Sequence, residues 1–83
     1  MANVTIYTTS TCGYCKAAKE YMQANNVKYT EINVGIDAQK AREMIEKSGQ
    51  MGVPVMVVEN EGNEDVIIGF DQSRMAKVFG LAA

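Results

Sequence analysis

The chain has 83 residues, 47% of them hydrophobic, with eight Lys and Arg against ten Asp and Glu and no His. That length supports one domain with a modest core, burying roughly 60% of its unfolded surface. Residues 1–50 carry six basic and five acidic side chains and the rest two and five, which leaves no basic stripe for nucleic acid. The longest apolar run, Val53 to Val58, falls far short of the ~20 residues a membrane-spanning helix needs. No basic-then-apolar leader pattern opens the chain, so residues 1–83 are expected to form a single cytoplasmic domain.

Asn3 to Thr8 alternates Val4 and Ile6 with Thr5 and Tyr7, the period of a strand. Thr9-Ser10-Thr11 can turn, and Thr11 or Cys12 can cap a helix that carries Tyr14, Ala17, Ala18, Tyr21 and Met22 on one stripe. Val27 to Val34 reads as a second strand stopped by Gly35. Asp37 caps a helix to about Ser48, with Ala38, Ala41 and Ile45 inward, Glu43 paired to Lys47, and Gly49 as its stop. Val55–Glu59 and Glu64–Ile68 form a hairpin through Asn60-Glu61-Gly62-Asn63. Asp71 caps a last helix that carries Met75, Val78 and Phe79 and ends at Gly80. The order βαβαββα, with a right-handed first crossover, predicts an α/β thioredoxin fold: a four-stranded mixed sheet flanked by three helices.

The chemistry concentrates in Cys12-Gly13-Tyr14-Cys15, which holds both cysteines of the chain. Two thiols at this spacing can cycle between dithiol and disulfide without disturbing the fold. Cys12, in the first turn, is the exposed candidate nucleophile; Cys15, beside the apolar stripe, is the sheltered resolving thiol. A helix N-terminus gives an anion ~0.3–1 kcal/mol, and amide hydrogen bonds to a charged sulfur add about 1.5–3 kcal/mol each. Lys16 and Lys19 add screened positive potential. Structural zinc is disfavoured, because one CxxC supplies half of four ligands and no His completes them.

CGYC after the first strand, Val53-Pro54 opening the hairpin and Gly69-Phe70-Asp71 before the last helix together resemble the glutaredoxin family over essentially the whole chain. The resemblance implies a monomeric thiol–disulfide oxidoreductase that uses glutathione as cosubstrate and acts on disulfide-bearing proteins. It further implies a cis Pro54 against the motif, with the Val53 backbone pairing to an extended peptide or glutathione. The glutathione surface is expected to draw on Thr11, Gly13, Tyr14, Val53, Pro54, Gly69, Phe70 and Asp71. Tyr14 either shelters the sulfur or packs on the core stripe.

Two departures open alternatives. Dithiol glutaredoxins usually carry proline where this chain has Gly13, and members without it sometimes bridge two subunits through an iron–sulfur cluster held by the residue matching Cys12 and by glutathione. Phe70 stands where a second glycine is common, so a phenyl ring is expected on the surface that receives the γ-glutamyl group, and Asp71 is either ligand or plain helix cap. Phe70 resembles instead the redoxins that are recharged by thioredoxin reductase and feed ribonucleotide reductase.

Overall fold

A computed structural model describes residues 3–80. The elements are β1 (Asn3–Thr8), α1 (Gly13–Ala24), β2 (Thr30–Asn33), α2 (Ala38–Ser48), β3 (Val55–Asn60), β4 (Asn63–Ile68) and α3 (Gln72–Phe79). They form one four-stranded sheet in the order β2-β1-β3-β4. β1 runs parallel to β2, placing Ile6 beside Glu31, and antiparallel to β3, placing Ile6 beside Met56. β3 and β4 pair antiparallel, Met56 beside Ile67. This is the thioredoxin-type α/β fold expected from the element order.

Strand alternation divides the core into two layers. Val4, Ile6, Met56, Val58 and Ile67 face Ala18 and Met22 of α1 and Met75 of α3. Tyr7, Val55 and Val57 face the opposite way, onto Met44 of α2. Because β1 and β2 run parallel while β3 runs against them, the turns after β1 and β2, before β3 and after β4 all gather at one end of the sheet. CGYC lies there. The hairpin closes through Glu61 and Gly62 at φ 50° and 83°, the left-handed pair a two-residue turn requires. No helix among the described residues is long and apolar enough to cross a membrane.

Three local expectations are corrected. β2 is confined to Thr30–Asn33, because Val27 is drawn back to close α1, its N–H donating to Met22 O at 2.8 Å. On α2 the buried residue is Met44, whereas Ala38 is exposed and Ile45 is 36% exposed. Capping at Asp37 sets the helical phase so that Ala41, Met44 and Ser48 turn toward the sheet. Glu43 pairs with Lys40 at 3.0 Å rather than with Lys47, which reaches Glu64 of β4 at 2.8 Å.

Truncation of the two α2 residues checks this phase. Met44→Ala should cost about 2–5 kcal/mol of unfolding free energy in urea titration, and Ile45→Ala should stay within about 0.5 kcal/mol of the parent.

Candidate functional site

Cys12 occupies the N-cap of α1, with extended backbone at φ −89° and ψ 110°. Its sulfur takes the place of the oxygen usual at such a cap, accepting the Cys15 N–H at 3.1 Å. Helix start and candidate nucleophile are therefore the same residue. The turn before it is closed by the Cys12 N–H donating to Thr9 O at 3.4 Å. Cys12 is partly exposed, and Cys15 is 1% exposed. Burial, followed by the hydrogen bond with Cys12, pushes the Cys15 thiol up to about 12, while the Thr9 N–H and the Lys19 charge pull the other way.

The opposite wall comes from the turn before β3. The Val53-Pro54 peptide is cis, Pro54 is fully buried, and the Cys12 thiol points at Val53 O across 3.8 Å. Pro54 O in turn accepts the Gly69 N–H at 2.9 Å. Gly69 has φ +76° and open space where a Cβ would stand, so backbone conformation rather than crowding requires glycine there. A chain of direct contacts thus brings Cys12, Val53, Pro54 and Gly69 together.

The remaining candidates fall at the margin. Thr11 is exposed, and Tyr14 is 71% exposed. Tyr14 does not join the buried stripe, which runs Cys15, Ala18, Met22 and leaves it turned outward. Gly13 meets nothing within 4 Å of a built Cβ and has no positive φ, so its backbone would accept a proline at the first helical position. Phe70 does not lay its ring over the corner. It packs on the core and meets Tyr21 edge-on, ring centroids 6.2 Å apart. Asp71 caps α3, its Oδ1 accepting the Arg74 N–H at 3.1 Å, and its residue is exposed.

Sequence reasoning missed one cluster. The hydroxyl of Thr8, only 1% exposed, donates to Glu31 Oε2 at 2.8 Å, and Lys19 Nζ donates to the same oxygen at 2.9 Å. These contacts, Lys19 first, hold the Glu31 carboxyl below its usual range, and Glu31 raises Lys19. The three residues come from β1, β2 and α1, so no spacing in the chain announces them. Lys19 is therefore held at β2 by Glu31.

The glutaredoxin family profile matches residues 4–62, from β1 through CGYC and Pro54 to the hairpin turn. The chain belongs to the glutaredoxin family. It is 37% identical over 75 residues to an uncharacterized glutaredoxin-like 8.6 kDa protein in the rubredoxin operon of Clostridium pasteurianum, covering 90% of this chain and 95% of that one. Glutaredoxin 3 of Escherichia coli K12 is 41% identical over 59 residues, 71% of each chain. Among solved structures, the glutaredoxin grx-1 from Archaeoglobus fulgidus superposes with a TM-score of 0.71 at 25% identity, covering 95% of this chain and 87% of that one. The CGYC motif of this glutaredoxin lies at one end of the sheet, at the start of α1.

Among the described residues no group of three or more His, Cys, Asp or Glu side chains could hold a metal ion. With Cys15 buried, one chain offers a single sulfur of the four ligands a cluster takes, so these residues do not by themselves make a cluster site.

Exposure and burial divide the two thiols. In iodoacetamide mapping at pH 7, Cys12 should be modified first and Cys15 should remain protected until the chain is unfolded, because a thiol pushed up to about 12 stays protonated throughout the neutral range. Faster labelling of Cys15 would reverse the two roles.

Proposed function

We propose that this glutaredoxin is a cytoplasmic, glutathione-linked thiol–disulfide oxidoreductase that reduces protein and mixed disulfides through Cys12 and Cys15. The observation that carries the proposal is the Cys12 sulfur at the positive end of α1, hydrogen-bonded by the Cys15 amide and facing the backbone of Val53.

In the reducing direction the Cys12 thiolate attacks one sulfur of a substrate disulfide. That bond breaks, and the departing sulfur takes its electron pair and then a proton. The mixed disulfide left on Cys12 is attacked at the Cys12 sulfur by Cys15 after it has lost its proton. A second thiol leaves, and the protein holds a Cys12–Cys15 disulfide. One glutathione thiolate then opens that disulfide at Cys12, and a second removes the bound glutathione as oxidised glutathione, returning both thiols. The Val53 backbone offers hydrogen-bonding groups to an extended substrate lying beside Cys12.

Two features support glutathione as the reductant. The Phe70 ring is spent on Tyr21 and the core, which leaves the Gly69–Asp71 corner uncovered. Asp71 caps α3 with one oxygen, so an exposed carboxylate and the first amides of that helix stand where a γ-glutamyl group, bearing both ammonium and carboxylate, finds complementary charge. Thr11, Gly13 and Tyr14, the chain neighbours of Cys12, are exposed and free to meet a ligand held there.

Oxidised protein supplied with NADPH should turn over a small disulfide with glutathione and glutathione reductase. Turnover with thioredoxin reductase alone, and none with glutathione, would replace this reductant by that of a redoxin while keeping the dithiol chemistry. Asp71→Asn, which preserves the cap, should leave Tm close to the parent and raise the KM for glutathione roughly tenfold to a hundredfold.

A further inference from the structure

The Thr8, Glu31 and Lys19 cluster has no place in the chemistry of Cys12, and apolar packing already joins α1 to the sheet. Its Lys19 lies one helical turn from the other thiol, Cys15. Cys15 and Lys19 lie four residues apart on α1 and so are neighbours on the helix surface. Helical side chains lean toward the N-terminus, which carries the Lys19 stem back over the turn holding Cys15. Left to itself the ammonium would swing into water. Glu31 Oε2 prevents this, and that oxygen is in turn fixed by the buried Thr8 hydroxyl at the end of β1. The backbone of Thr9, the next residue, also favours a thiolate at Cys15.

The resolution step needs such help. Cys15 is 1% exposed, and burial works against its ionisation. Once Cys12 is held in a mixed disulfide it carries no charge, so its repulsion of a Cys15 thiolate disappears. What remains near Cys15 is the Thr9 amide and the Lys19 cation, with Glu31 and Tyr29 of the β2 side facing Lys19. The core layer beneath α1, built from Val4, Ile6, Met56 and Met75, contributes no charged group. The chain contains no histidine to serve as a base.

We infer that Lys19 is the positioning residue of the resolving thiol: Glu31 and Thr8 fix its ammonium beside Cys15, where it stabilises the negative charge that Cys15 carries as it attacks. The inference rests on the proposed roles of Cys12 and Cys15. In the step it assists, Cys15 gives its proton to water and its thiolate attacks the Cys12 sulfur. The bond from Cys12 to the substrate sulfur breaks, and the substrate leaves as a thiolate with that electron pair.

Stopped-flow reaction of the reduced protein with the aromatic disulfide dithionitrobenzoate separates the two steps. The first thionitrobenzoate released reports attack by Cys12, and the second reports closure by Cys15. In Lys19→Met the second release should slow about three- to tenfold at neutral pH relative to the first, with its pH midpoint moved up by about half to one unit. Lys19→Arg should restore both. An unmoved midpoint in Lys19→Met and Lys19→Gln, equal slowing of both phases, or no restoration by Lys19→Arg would overturn the role of Lys19. A parent protein with no second release, or a second release that persists in Cys15→Ser, would overturn the dithiol mechanism itself and this inference with it.

Discussion

The hydrogen bond from the Cys15 amide to the Cys12 sulfur is the contact around which the rest of the site is arranged. In most helices the first free amides are satisfied by a Ser, Thr, Asp or Asn oxygen, and the cap has a structural task only. Here the capping atom is the candidate nucleophile, so the requirement that α1 begin at Gly13 and the requirement that negative charge be stabilised on Cys12 are met by one geometry. Any displacement of the helix start would remove both. It also fixes Cys15 one turn inward, since a residue three beyond the cap falls on the buried stripe with Ala18 and Met22.

The sheet supplies what the helix cannot. Parallel pairing of β1 with β2 and antiparallel pairing of β3 with β1 bring the Val53-Pro54 turn to face the CGYC end, and the Pro54 carbonyl ties Gly69 to the same place. The Cys12 sulfur thus faces the Val53 backbone, and the exposed acid of Asp71 follows Gly69 by two residues. The two thiols consequently sit in unlike surroundings although only two residues separate them. One has a partly open surface and a helix end; the other has the packed underside of α1.

Much of this was legible in the residues. β1, the starts of α2 and α3 at Asp37 and Asp71, the hairpin at Glu61-Gly62 and the CGYC placement follow from alternation, capping chemistry and turn propensity, each of which acts over a few neighbours. The misreadings share a cause. Val27 has the composition of a strand but is used to close α1; Ile45 is apolar yet lies a third of a turn from the face set by Met44; Tyr14 turns outward, off the core stripe that was one of its two expected places, and Phe70 packs against Tyr21. In each case residue type specified a preference for burial, and only packing partners decided which residue obtained it.

The sequence by itself determined the chemistry available and the order of elements: two thiols at disulfide-forming spacing, no histidine, one proline, and a strand and helix on either side of the motif. Those are properties of covalent chemistry and short-range periodicity. Tertiary structure alone decided the cis peptide beside Cys12 and the meeting of Thr8, Glu31 and Lys19, because each depends on segments brought together by sheet pairing across long stretches of chain. Glu31 is 12 residues from Lys19 and 23 from Thr8, separations at which sequence carries no geometric signal until β1 and β2 have paired.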